Sequence, residues 1–249
     1  MAKAKRRHSN RKPPLPVSFT PAKDLDEVVD RLRELGKSVD EDFIRSAYEY
    51  ADEMHRDQFR RSGQPYLHHP LQVAAILAQL QFDQTCVVVG LLHDVLEDTE
   101  ATMESLEERF GEEIANLVDG VTKIGRHEYV RRDDAQAETF RKLVLASAKD
   151  IRVILVKLGD RFHNMLTLEH LPPESRRRIA QETLEIYAPI AQRLGMAKLQ
   201  GELEDVAFLH LYPHQYTALQ KALQEKLQVG KGETERICRR LEERLEEAG

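Results

Sequence analysis

Within six residues the chain sets His93 and Asp94 beside Glu97 and Asp98, at the end of an apolar run that opens at Cys86. On a helix, positions three and four apart share a face, so Glu97 falls beside both His93 and Asp94. Three carboxylates and an imidazole crowded together repel one another and oppose the negative end of that helix's dipole. A cation resolves the cost. His69, immediately before Pro70, and Asp160, with Asn164 one turn later, are further candidate ligands. Two imidazoles and two carboxylates suit a divalent first-row metal that keeps water in its shell, whereas a closed structural zinc site more often uses thiolates. Open coordination positions imply hydrolysis. Taken singly, His69 and Asp160 read equally well as hydrogen-bonded core residues, and Asp98 as the cap of a turn before Thr102. The crowding of acids around His93 has no such structural reason.

The elements that must position these residues read as helices. Leu25, Val28, Val29, Leu32 and Leu35 follow helical spacing up to Gly36, a stop signal. A second helix follows, capped by Ser38, with Asp40 and Glu41 in its first turn and a stripe of Phe43, Ile44, Ala47, Tyr48, Ala51 and Met54. Pro70 starts a third, through Leu80. The run 86–96 reads as one buried helix that carries His93 and Asp94 inside it, although its valines would permit a strand. Thr102 caps residues 103–110, Gly111 separates them from 114–124, and 126–134 reads as a mobile loop. Helices are expected over 140–148, 151–168, 174–194 with a tolerated Pro189, and 198–211, then two amphipathic segments divided near Gly230. No alternating strand pattern persists, so the fold class is all-α.

Composition bounds the rest. The 37 Lys and Arg against 43 Asp and Glu give a net charge of −6, which argues against nonspecific nucleic-acid binding as the main role. No apolar stretch approaches the roughly 20 residues that span a bilayer. A cytoplasmic chain is expected, and the distant Cys86 and Cys238 suggest neither a disulfide nor a thiolate metal site. Residues 1–16, basic and ending in prolines, read as a disordered tail that could touch RNA or an acidic surface weakly.

The stretch Arg60-Arg61-Ser62-Gly63-Gln64-Pro65-Tyr66 through His69-Pro70, then His93 to Thr99 (HDVLEDT), Val118 to Lys123 (VDGVTK) and Lys157 to Leu168 (KLGDRFHNMLTL), closely resembles the hydrolase domain of RelA/SpoT homologues. These are HD-superfamily enzymes of alarmone metabolism. The likeness runs from about Leu25 to the end, through YAPIAQRLG and GELEDVAFLHLYP. It implies an HD-type helical bundle over residues 17–195 and a helical extension over 196–249. It also implies hydrolysis of the 3′-pyrophosphate of guanosine tetra- or pentaphosphate, at one manganese ion per chain, giving GDP or GTP and pyrophosphate. Matching positions make His69, His93, Asp94 and Asp160 the ligands, with Glu97 and Asp98 activating water or moving protons. Arg60, Arg61, Ser62, Asn164 and Thr167 match positions that line the nucleotide. By themselves, the arginines would read as a solvated pair and the others as ordinary helix polars.

Leu166 stands where the family usually has arginine, and Gln192 where it often has histidine. In the long bifunctional relatives the helices matching residues 201–248 lead into a synthetase domain, so a fragment or split form of a longer enzyme is expected. Without a phosphate-cradling Gly-rich loop, hydrolysis without synthesis is the expectation. An HD phosphohydrolase acting on another nucleotide, and a regulatory nucleotide-binding module, are the alternatives. Retention of His93, Asp94, Glu97 and Asp98 speaks against the module.

Overall fold

Asp24 opens α1 (Leu25–Glu34) by accepting from the Glu27 amide, and Gly36, at φ 68°, takes the left-handed conformation just after it. The computed structural model describes residues 18–36, 39–125, 141–143, 145, 149–224 and 226. The expected tail, Ser38, the loop 126–134, Cys238 and the segments after 226 lie outside them.

Asp40 caps α2 (Glu41–Met54), accepting from the Phe43 amide at 3.0 Å. Tyr50, rather than the expected Tyr48, is its buried tyrosine, packed 5.4 Å from the Phe110 ring. Helix α3 (His68–Gln79) starts two residues before the expected Pro70. The His69 amide bonds the Tyr66 carbonyl at 2.9 Å, and Pro70 falls in the first turn, where a missing N–H costs nothing. His69 therefore belongs to the helix and does not merely precede it.

The expected single helix over 86–96 is two. Helix α4 (Gln84–Leu92) stops before His93, and α5 (Val95–Asp98) begins after Asp94. His93 supplies a physical reason: its Nδ1 lies 2.8 Å from the Gly90 carbonyl and satisfies an acceptor that a terminating helix leaves open. An apolar run through Leu96 conceals this break, because hydrophobicity reports burial and not continuity.

Next come α6 (Met103–Gly125), kinked at Gly111, and α7 (Ile151–Leu166), whose cap Asp150 accepts from the Arg152 amide. Thr102 accepts from the Ser105 amide, as its capping role requires. A short 3-10 turn (Leu168–His170) leads to α8 (Pro173–Glu182). The helical path continues through a π turn (Thr183–Tyr187) into α9 (Ala188–Arg193). Pro189 lacks an amide hydrogen and crowds the carbonyl four residues back, and the widened turn just before it accommodates this. Helix α10 (Ala197–Leu211) follows.

The fold is all-α; an isolated bridge between Phe59 and Pro65 is the extended pairing found among the described residues. No helix there is long and apolar enough to cross a membrane. Two compact units divide between Ala207 and Phe208. In the larger, α3 is buried without interruption from His69 to Ala78 and α4 from Cys86 to Leu92, as expected for helices at the centre of a core. Close approach is built in at Gly90, where an added Cβ would stand 2.6 Å from Leu77 Cδ1. In the smaller unit, residues 213–224 are helical, and Phe208 packs against Tyr212 and Tyr216.

Candidate metal centre and active site

Three elements deliver the ligand candidates. His69 comes from the first turn of α3, His93 and Asp94 from the break between α4 and α5, and Asp160 from the middle of α7. One ligand atom each from His69, His93 and Asp160 falls within 4.8 Å of the others. Asp94 joins them: its Oδ1 is 3.1 Å from His93 Nε2 and its Oδ2 3.5 Å from His69 Nε2. Asp160 Oδ1 lies 3.3 Å from His69 Nε2 and 3.8 Å from His93 Nε2. Three of the four predicted ligands meet around one point, and Asp94 lies beside them with each of its oxygens against a different histidine.

The His93 ring carries the most information. Its Nδ1 donates to Gly90, which leaves the lone pair on Nε2 aimed between two carboxylates, and that buried atom has no hydrogen-bond partner. Burial pulls the imidazole down, but Asp94 and Asp160 overcome it and lift His93 to about 10. A proton on Nε2 and a divalent cation are alternative ways to satisfy the same oxygens. Metal fits this donor set, since the buried Nε2 of His93 lacks a hydrogen-bond partner and faces two carboxylates whose oxygens a cation could share. His69 shifts the other way, held down by burial against the pull of the same carboxylates, with the neighbouring His93 adding to its depression.

Sequence reasoning missed the groups that orient these ligands. His163 Nδ1 lies 2.6 Å from His69 Nδ1. Burial and the nearby His69 and Arg60 hold His163 well below its ordinary value, so it stays neutral and can accept from His69. Outer partners of this kind fix the tautomer of a metal-binding histidine. Lys157 Nζ, half-buried one turn before Asp160, holds Asp160 Oδ2 at 2.7 Å. Burial opposes its charge, but Asp160 and Tyr187 keep it raised, and Asp160 itself is held well below the usual carboxylate range by Lys157 against the cost of burial. Tyr66 Oη reaches Asp94 Oδ2 at 2.9 Å and Asp98 Oδ2 at 2.5 Å. The spacing of Lys157 and Asp160 was readable as an i,i+3 pair. The histidine pair, 94 residues apart, left no local signal.

A cavity of about 510 Å³ opens over this cluster. Glu97 and Asp98 stand exposed on its wall, with Arg60, Arg61, Ser62, Asn164 and Thr167. Partial burial first, then the charges of Asp94, Asp98 and Asp160, raise the Glu97 carboxyl against the pull of Lys157, which suits a group that takes up and returns a proton. Asn164 connects the wall to the ligands: it accepts from Arg60 at 2.9 Å and donates to Asp160 Oδ1 at 2.5 Å. Leu166 and Gln192 do not line the cavity. Arg161, Arg178 and Glu182 line it without having been foreseen. Arg161 pairs with Glu182 at 3.3 Å and lies 4.0 Å over the Tyr187 ring, so the π turn shapes this wall.

The sequence pattern of the family described as HD domain matches residues 47–197, which span every ligand and wall residue above. The chain belongs to the HD domain family. Its RelA/SpoT resemblance also holds. It is 49% identical over 199 residues to the guanosine-3′,5′-bis(diphosphate) 3′-pyrophosphohydrolase of Haemophilus influenzae, covering 80% of this chain and 29% of that protein. Against the bifunctional (p)ppGpp synthase/hydrolase SpoT of Escherichia coli the identity is 46%, over 83% of this chain and 29% of SpoT. A GTP pyrophosphokinase of Myxococcus xanthus is 49% identical over 84% of this chain and 28% of that protein. The HD chain thus spans less than a third of the length of these relatives. A solved metazoan ortholog of SpoT that hydrolyzes ppGpp matches with a TM-score of 0.50 and 26% identity, over 68% of this chain and 96% of that one.

Proposed function

We propose that this HD chain is a manganese-dependent hydrolase that removes the 3′-pyrophosphate from guanosine tetra- or pentaphosphate. The observation that carries the reading is the orphaned Nε2 of His93, facing Asp94 and Asp160 under a cavity walled by Arg60, Arg61, Glu97 and Asp98. The names borne by the relatives support the guanosine 3′-pyrophosphate as substrate.

His69, His93, Asp94 and Asp160 would hold the ion. A divalent cation there supplies Lewis-acid polarisation of a phosphoryl oxygen and activation of water. Arg60 and Arg61 neutralise phosphate charge, and Ser62, Asn164 and Thr167 border the nucleoside. Water's oxygen bonds to the phosphorus next to the ribose 3′-oxygen, and the bond between that phosphorus and the 3′-oxygen breaks. Glu97 and Asp98 accept the proton that the water gives up and return one to the 3′-oxygen. GDP or GTP and pyrophosphate leave.

Residues 17–195 form the hydrolase region in this reading, and 196–249 the extension that in longer relatives leads to a synthetase domain. The basic tail 1–16 is a weak accessory, and the reaction belongs to the cytoplasm, where the buried free thiol of Cys86 is stable. The test is to incubate the purified chain with manganese and guanosine tetraphosphate and to quantify pyrophosphate. Release that chelation stops and manganese restores is expected. Turnover that survives exhaustive chelation, or that prefers a nucleotide lacking the 3′-pyrophosphate, would contradict it. Pyrophosphate transfer from ATP to GDP should be absent.

A further inference from the structure

Asp98 occupies a weak position for a residue assigned to chemistry. It is exposed and ends a helix of four residues, too short to fix a side chain by its own hydrogen bonds. Two side chains hold it from opposite ends. Tyr66 Oη contacts its carboxylate at 2.5 Å, and Gln58 Nε2 donates to its carbonyl oxygen at 2.9 Å. Both rest on His55. The buried His55 ring stacks on Tyr66 with centroids 4.4 Å apart and planes 16° from parallel, and its Nδ1 lies 2.9 Å from Gln58 Oε1. The Tyr66 amide closes the group by donating to the Gln58 carbonyl at 3.0 Å.

The Tyr66 hydroxyl also reaches Asp94 Oδ2 at 2.9 Å. The phenol has one hydrogen to donate, and the shorter contact gives it to Asp98, which seats that carboxylate within reach of the metal-ligand candidate Asp94. A phenylalanine would keep the stacking on His55 and lose only this link.

We propose that Tyr66 is a positioning residue, seated on His55 and Gln58, that holds the Asp98 carboxylate at a fixed place beside Asp94. The inference rests on the hydrolase reading and deepens it. Without the tether Asp98 rotates into solvent, and catalysis falls while the nucleotide still binds.

A double-mutant cycle tests it, with Tyr66→Phe, Asp98→Asn and the double variant assayed on guanosine tetraphosphate at saturating manganese. Tyr66→Phe should lower kcat about tenfold with KM within about twofold, and in the Asp98→Asn background it should change kcat less than about twofold. An unchanged kcat, or a loss just as large when Asp98 is already gone, overturns the proposal. Hydrogen exchange of residues 94–101 in the manganese-loaded protein without substrate gives a readout independent of turnover. Tyr66→Phe should speed exchange there and leave α1 unchanged, and unaltered exchange in 94–101 also overturns the proposal. A wild-type chain that releases no pyrophosphate would refute the hydrolase reading, while the exchange measurement still decides the role of Tyr66.

Discussion

His69, His93 and Asp160 are 2%, 1% and 4% exposed, whereas Glu97 and Asp98, only a few residues from His93, are open to solvent. Backbone packing sets the first group. Helices α3, α4 and α7 meet where Leu77 fills the space between Gly90 and Gly159, and the ligands follow from that contact. Side-chain tethers from Tyr66 and Gln58 set Asp98 in the second group, and the loop that presents Arg60 is tied to Asn164 in the same way. The difference teaches that one site is built by two means. The end proposed to bind the ion is set by the packing of the core, and the rim at Asp98 and Asn164 is held by individual hydrogen bonds that can be cut one at a time.

The largest effect should come from the half-buried Asp94 beside the first group. Asp94→Asn removes an anionic ligand, so both manganese binding and turnover should fall by more than the ~100-fold typical of losing an outer partner. Metal content and kcat measured on the same preparation check this, and retained metal would remove Asp94 from the ligand set. At the rim, Glu97→Gln should lower kcat by about 10²-fold or more while manganese occupancy stays nearly intact. If metal leaves with the activity, Glu97 belongs to the buried group and the contrast between the two regions weakens.

A third change probes the packing itself. In Gly90→Ala the new methyl would stand 2.6 Å from Cδ1 of Leu77, a fully buried side chain, which has to shift within a packed core to admit it. Overpacking of this kind costs about 1–3 kcal/mol. The melting temperature should drop by several degrees, and an unchanged value would mean that the core yields more easily than its packing suggests. Smallest of all is Arg61→Ala. This exposed side chain should raise KM severalfold, roughly the ~1 kcal/mol of a solvent-screened charge contact, and leave kcat alone.

The same division governs what could be read from the sequence. Helices α1 and α2 were legible because their apolar residues recur on one face, and the four ligand candidates could be named because their residue types crowd or recur in motifs. The break at His93 was hidden by a continuous apolar run, and the cap of α2 fell to Asp40, since several polar residues there could do that work. Tyr66 and Asp98 are 32 residues apart in sequence, and contacts between separate elements leave no periodicity to detect. The roles of Tyr66, His163 and Lys157 emerged only from distances, although Lys157 had a local spacing that pointed to Asp160.

The central claim is that His69, His93, Asp94 and Asp160 share one cation. Titrating the metal-free chain with manganese while following the free-ion electron paramagnetic resonance signal tests it directly. One tight ion per wild-type chain, and none in Asp160→Asn that still melts cooperatively, is the predicted result. An equal tight stoichiometry in the folded variant, or no tight ion in the wild type, would contradict it.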